Sequence, residues 1–445
     1  MKFIYKLIYV FSPIPLIVLI TLNSPSKYAN LNFLLPMLFG IFSYTWLLWQ
    51  FILSARPKAL EKYFGLDKIY RFHGVIALVA LFTLFLHKTL IERLFGETIM
   101  SQLGSVAFAI FIGISGLSLL FMSPKLLKKF KPIQELIKKI RRFNFASYQF
   151  TKSIHNFTIV ALVLMQIHVL MTTSAQTNPY IFTLYMVYFF LATGFYLYHK
   201  LIKAWLLEDT KYKITNLVYE TEDMMTISLT PQNNHHFQYS PGQFAYFKIS
   251  SPYFSSEEHP FSIVSSPTEK DQIAITVKAV GDYTKDLRRL KIGDEMTVEG
   301  PFGKFSFTTY ANENASVFIA GGIGITPFIS MLEYMAKKDP TRPVMLLWSV
   351  RKKKDLIKYD HLVALKNTMP NFIFVPIVSG DETWEGESGR LDYSRLEDFT
   401  SFYPFRETNT GYYICGPENL MTLTLETLLK LRISKNQIHY ESFSV

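Results

Sequence analysis

The stretch RFHGVIALVALFTLFLH, Arg71 to His87, decides the architecture. Between its histidines lie 13 residues with no Asp, Glu, Lys or Arg. That is the composition of a helix crossing a bilayer, which needs about 20 predominantly apolar residues. Ionisable side chains are costly in hydrocarbon and persist there where they carry function. The two imidazoles stand 14 residues apart, which on a helix rising about 1.5 Å per residue is about 21 Å. A second stretch, HNFTIVALVLMQIH, repeats the arrangement with His155 and His168 separated by 13 residues.

Working outward, apolar segments long enough to span a bilayer lie near 4–22, 31–54, 72–95, 102–122, 154–173 and 180–203. The first follows Lys2 and Lys6 in the manner of a signal peptide. Pro13 and Pro15 interrupt it and no small-residue cleavage site follows, so it reads as a retained span. Basic residues mark the sides. Arg56, Lys58, Lys62, Lys68 and Arg71 lie between spans two and three, and nine more, Lys125 to Lys152, lie between spans four and five. The opposite loops carry only Lys27, then Lys88 and Arg93. The positive-inside rule puts both termini in the cytoplasm of a multi-pass cell-membrane protein. The segment KLLKKFKPIQELIKKIRRF, 125–143, reads equally as a helix on the anionic inner leaflet or as a topology signal with a solvated face. The net charge of +11 therefore points to a lipid bilayer and not to nucleic acid. A single cysteine, Cys415, excludes a disulfide within the chain and a thiolate-held metal cluster.

Spans three and five run in the same direction, so His73 lies level with His155, and His87 with His168. Each level offers two imidazoles and no carboxylate or thiolate, a poor zinc or di-iron site but a good pair of axial ligands for haem iron. With both axial positions filled, an acceptor must take electrons from the haem edge. Helical phase needs care. At about 100° per residue, His73 and His87 fall about 40° short of four full turns and share a face, whereas His155 and His168 fall about 140° short. Span five is therefore distorted, or is approached from two sides, or one ligand is misassigned.

From about 207 the pattern changes. FAYFKI and IAITVKAV alternate like strands, with SPGQ, KIGD and GPFGKF as turns, and read as an antiparallel β-barrel over 207–312. Over 313–445 the pattern is β-α-β: SVFIA is a buried strand, GGIGITP a glycine-rich turn, and FISMLEYMAKK an amphipathic helix. That is a doubly wound α/β nucleotide-binding domain. WSVRKKK follows its second strand, where Arg351 suits a 2′-phosphate, or is simply a solvated basic turn.

The motifs HPFSIVSSP (259–267), VKAVGDYT (277–284), GPFG (300–303), GGIGITP (321–327) and YICGPENLM (413–421) occur in the order of ferredoxin-reductase flavin and nicotinamide modules. Joined to six spans with paired histidines, the chain resembles the NADPH oxidase and ferric reductase superfamily, bacterial NADPH oxidase homologues especially. The resemblance implies a multidomain chain. A six-helix transmembrane haem domain (1–206) holds two b-type haems on His73, His87, His155 and His168. An FAD barrel and an NADPH domain follow, with NADH as the alternative donor. In the flavin site, which would include Pro260, His259 would contact phosphate or ribose, Phe261 would pack on the ring, and Ser262 would approach the hydride-accepting nitrogen. Lys278, Gly281 and Thr284 would hold the FAD pyrophosphate. Gly321, Gly322, Gly324 and Thr326 would hold the phosphates of the nicotinamide nucleotide. Cys415 and Gly416 would lie beside the nicotinamide, and Phe443 would shield the flavin face. The implied acceptor is O2, giving superoxide, with an Fe(III) chelate as the alternative. The sequence requires no protein partner.

Overall fold

The computed structural model describes residues 2–122, 132, 135, 139, 148–202, 210–233, 236–251, 253–254, 257–401, 405 and 409–441. The chain divides into two compact units, Met1–Lys203 and Ala204–Val445.

Among the described residues of the first unit, six helices are long and apolar enough to cross a membrane: Phe3–Asn23, Leu31–Ser54, Leu66–Phe95, Ile99–Phe121, Phe150–Leu170 and Pro179–Ile202. That is the layout of a multi-pass membrane protein. Span one is made of two pieces, Lys2–Phe11 and Ile14–Asn23, because Pro13 and Pro15 cannot donate to the preceding turn. Span two begins where the Asn30 side chain accepts from the Asn32 amide at 2.9 Å. Span six begins where Asn178 accepts from Tyr180 at 2.9 Å. Such caps satisfy amides that the helix itself leaves unbonded. Leu16, Ile41, Ala80, Ala161, Leu162, Ile181 and Ala192 fill the interior. The alanines permit close helix approach, the usual device in membrane packing. Val75, Phe82, Phe85, Val160, Ile167 and Phe190 face outward. Span three starts six residues earlier than its apolar run suggested, so Lys68 and Arg71 ride its first turns. The basic segment 125–143 falls almost wholly outside the described residues.

Span five is broken, which answers the phase question. Its helices are Tyr148–His155 and Thr158–Leu170. At the junction Asn156, Phe157, Ile159 and Val160 donate to carbonyls three residues back, at 3.2, 2.9, 3.3 and 2.9 Å. A three-residue turn advances each residue about 20° further than an α-turn. Four such steps supply about 80° of the missing 140°. Thr158 Oγ1 also donates to the His155 carbonyl at 2.7 Å.

Among its described residues, the second unit holds two six-stranded sheets. The antiparallel sheet has the order β4-β3-β6-β1-β2-β5. Its strands are β1 (Lys211–Tyr219), β2 (Met224–Pro231), β3 (Phe244–Ile249), β4 (Glu258–Ser262), β5 (Ile273–Lys278) and β6 (Glu295–Phe302). The expected barrel does not close. Edge strands β4 and β5 meet only at an isolated Ile263–Ile275 bridge and a Val264-to-Ala274 amide bond of 2.8 Å. The reason is local: β4 is five residues long and contains Pro260, which cannot donate. Beyond it Ser265 Oγ, not a strand carbonyl, accepts from the Ala274 amide at 2.9 Å.

The parallel sheet has the order β10-β9-β8-β7-β11-β12. Its strands are β7 (Ala315–Gly321), β8 (Val344–Val350), β9 (Phe372–Val378), β10 (Glu387–Ser388), β11 (Thr410–Cys415) and β12 (Ile438–Glu441). Side chains alternate between its faces. Phe318 and Ala320 pack with Phe328 and Leu332 of helix Thr326–Lys338, whereas Val317 and Ile319 pack with Leu396 and Leu428 on the opposite side. Both faces are covered, as the doubly wound reading requires.

Candidate functional site

The first unit brings its histidines together as two pairs. The rings of His73 and His155 have centroids 6.2 Å apart, and those of His87 and His168 are 6.3 Å apart. Two imidazoles on opposite sides of one first-row metal, with metal–N bonds of about 2.0–2.1 Å, place their centroids about 6 Å apart. The separation therefore fits bis-histidine ligation. Among the described residues no cluster of three or more His, Cys, Asp or Glu forms, so each level offers two imidazoles alone.

The neighbouring helices hold these rings by a repeated device. His87 Nδ1 donates to the Pro36 carbonyl at 2.8 Å, and His168 Nδ1 donates to the Met100 carbonyl at 2.8 Å. Four residues after each carbonyl, one helical turn on, stands a glycine beneath the ring. A Cβ on Gly40 would lie 2.7 Å from His87 Nδ1, and one on Gly104 would lie 3.0 Å from His168 Nδ1. With Nδ1 committed to a carbonyl, Nε2 is the nitrogen left for a metal. His155 Nδ1 instead meets Ser118 Oγ at 3.0 Å. His73 Nδ1 is buried with no partner among the described residues. Pro36, Gly40, Met100, Gly104 and Ser118 escaped the sequence reading. The signal for the first four is a glycine one turn beyond a carbonyl, which means nothing until the partner helix is known; Ser118 carries none.

In the second unit, β4 carries the HPFS motif. Ser262 is buried and its hydroxyl has no partner among the described residues. An orphaned buried hydroxyl costs about 1–3 kcal/mol, and a flavin edge would satisfy it. Phe261 lies against Phe247, centroids 6.2 Å apart. His259 stacks on Tyr283 with centroids 3.6 Å apart, and its Nε2 lies 3.2 Å from Glu257 Oε2. Pro260 stands opposite Tyr246 in the strand register. The Tyr283 hydroxyl is also buried and unpartnered among the described residues. Burial, with Glu257 adding to it, pushes that phenol's pKa up. Tyr283 was not singled out from sequence, although it sits inside VKAVGDYT.

Lys278, Gly281 and Thr284 are partly engaged within the protein. Thr284 Oγ1 accepts from the Val280 and Gly281 amides at 2.9 and 3.0 Å. Lys278 Nζ lies 3.3 Å from Asp223. Gly281 has open space where a Cβ would stand.

GGIGITP sits at the C-terminal end of β7, where doubly wound folds bind ligands, but its glycines differ in purpose. A Cβ on Gly324 would meet the Cys415 carbonyl at 2.3 Å, and one on Gly416 would meet Gly321 at 2.9 Å. Gly321 itself is crowded by Leu420 and Pro417. These glycines let the GGIGITP and CGP turns pack backbone to backbone. Gly322, with φ +53° and open space beyond it, is the one free to approach a phosphate at the start of helix Thr326–Lys338. Thr326 is buried, its hydroxyl on the Ile323 carbonyl at 3.1 Å. Cys415 is fully buried. Burial, with Glu441 adding to it, pushes the thiol's pKa up. Arg351 is exposed just beyond β8, and no acidic side chain among the described residues pairs with it. Phe443 lies outside the described residues.

Residues 210–326 match the family described as FAD-binding domain, and residues 318–426 match Oxidoreductase NAD-binding domain. The reductase component of propane 2-monooxygenase from Mycolicibacterium smegmatis is 25% identical over 244 residues, 54% of this chain and 68% of that protein. The electron transfer component of anthranilate 1,2-dioxygenase from Acinetobacter baylyi is 27% identical over 235 residues, 51% of this chain and 64% of that one. Among solved structures, flavohemoglobin from Malassezia yamatoensis shares the fold at a TM-score of 0.50 and 18% identity, over 96% of this chain and 98% of that one. The second unit is therefore an electron-transferring flavoprotein reductase module of the ferredoxin-reductase type, binding FAD and a nicotinamide nucleotide.

Proposed function

We propose that the chain carries electrons from cytoplasmic NADPH across the cell membrane, through FAD and two bis-histidine b-type haems, to an acceptor on the outer face. The observation that carries this reading is the pair of facing imidazoles at each of two levels, 6.2 and 6.3 Å apart, in a chain that also holds a flavin reductase module. When bound, FAD supplies the conversion of a two-electron hydride into single electrons, and haem iron supplies one-electron carriage across the hydrocarbon.

The residues have separate tasks. Ser262 orients the reducible edge of the flavin, Phe261 packs its ring, and His259 with Pro260 and Tyr283 lines its flank. Lys278, Gly281 and Thr284 hold the pyrophosphate. Gly322, at the start of its helix, takes nicotinamide-nucleotide phosphate. Gly321, Gly324 and Gly416 bring its two turns together, with Thr326 and Cys415 packed beneath. Arg351 reads the 2′-phosphate, so NADPH is preferred over NADH.

O2, giving superoxide by one-electron reduction, is the favoured acceptor, because the outer loops carry few charges to recruit a metal chelate. Chelated Fe(III) is the alternative on the same electron path. The test supplies NADPH to purified protein in lipid and compares superoxide with ferrous-chelate formation, with and without air. Two haems per flavin and superoxide in air are expected. Absence of haem sinks the transmembrane path. Ferrous chelate formed without air, at a rate exceeding superoxide in air, reassigns the acceptor.

A further inference from the structure

The Nδ1 nitrogens of the four imidazoles are not held alike. His87 and His168 each donate to a backbone carbonyl at 2.8 Å. His155 faces a side chain: Ser118 Oγ, on span four, at 3.0 Å. Ser118 Oγ also reaches the Ile114 carbonyl at 2.9 Å. A hydroxyl has one proton and two lone pairs, so a proton given to Ile114 leaves Oγ to accept from His155 Nδ1–H. In that arrangement Nδ1 is the protonated nitrogen, and Nε2 carries the free lone pair.

We infer that Ser118 is a positioning residue for the His73–His155 metal site, fixing the His155 tautomer and strengthening it as a ligand through Nδ1. The inference rests on the haem reading above. A donated Nδ1–H makes the opposite nitrogen a stronger donor, and a stronger donor favours the oxidised, more positive iron. Outer-shell hydrogen bonds of this kind tune haem potential. His73 has no such bond among the described residues, so at this level Ser118 supplies the hydrogen bond that the backbone supplies twice at the other.

The test compares Ser118→Thr with Ser118→Val, which match in shape and differ in the hydroxyl. Both are purified as the full chain with bound haem, and the two optical components are titrated against potential. A His87→Leu variant identifies the component belonging to His73 and His155. Ser118→Thr is expected to titrate like the parent. Ser118→Val is expected to shift that one component to higher potential, or to lose that haem alone. Identical titrations for Thr and Val overturn the inference, and so does a change confined to the His87–His168 component. A parent protein without haem defeats the underlying reading, whereas haem-loaded variants that titrate alike defeat this inference and leave that reading standing.

Discussion

At the residue scale, the most exacting positions are glycines. Gly40 and Gly104 leave a ring's thickness between helices, and a methyl at either would press on an imidazole at 2.7 or 3.0 Å. The ring is pinned by its carbonyl bond and the glycine by its helix, so neither yields cheaply. Gly40→Ala and Gly104→Ala should each lower haem to about one per flavin, and flavin reduction by NADPH should continue. The haem-to-flavin ratio from absorbance checks this, and an unchanged ratio would show that the rings can move. Cys415 makes the opposite case. From sequence it stood beside the nicotinamide as a free thiol. In the structure it is wholly buried, with its ionisation pushed upward by burial and by Glu441. The thiol therefore stays protonated as pH rises through the usual thiol range, so iodoacetamide should leave it unmodified in the folded protein at pH 8 to about 9 and modify it after denaturation. Mass spectrometry distinguishes these outcomes, and rapid modification of the native protein would contradict the burial.

At the element scale, the histidine pairing was legible because span direction and spacing are arithmetic on the sequence. The break in span five was not, because it arises from hydrogen bonds three residues back around Asn156 and Phe157, and no proline or glycine marks it. Its role can be tested by phase. One alanine inserted between Phe157 and Thr158 rotates His168 by about 100° and leaves His155 in place. The variant should lose the His87–His168 haem and keep the other. Retention of both would mean that the junction absorbs the extra residue. In the second unit, strand order and both covered faces followed from the β-α-β pattern, whereas barrel closure failed at Pro260. A buried carboxylate that the sequence did not announce ties the segment before β7 to β11 and β12. Glu313 accepts from the Tyr413 hydroxyl and from His439 Nε2, each at 2.6 Å. Glu313→Ala strands two buried donors and should cost about 3–5 kcal/mol, read as earlier loss of flavin fluorescence quenching on heating. A loss within error of zero would show that water replaces the carboxylate.

At the scale of the whole molecule, the proposed function depends on which side of the membrane each helix end faces, since it uses the nicotinamide nucleotide and the acceptor on opposite sides. Charge distribution supplies the argument. Arg56, Lys58 and Lys62 lie between spans two and three, and the segment between spans four and five is the most basic in the chain, whereas residues 172–178 between spans five and six carry no Lys or Arg. By the positive-inside rule this asymmetry would orient all six spans together, with both termini in the cytoplasm as proposed. Because Cys415 is the only cysteine and is buried, single cysteines can report sidedness without removing a competing reactive thiol. Gln176→Cys should react with a membrane-impermeant maleimide added to intact cells. Lys58→Cys should react only after the cells are opened. The reverse pattern would place the reductase module outside, away from its nucleotide, and would overturn the transmembrane direction proposed for the electrons. Labelling of both positions in intact cells would mean that the two loops share a side, which an odd number of crossings between them forbids.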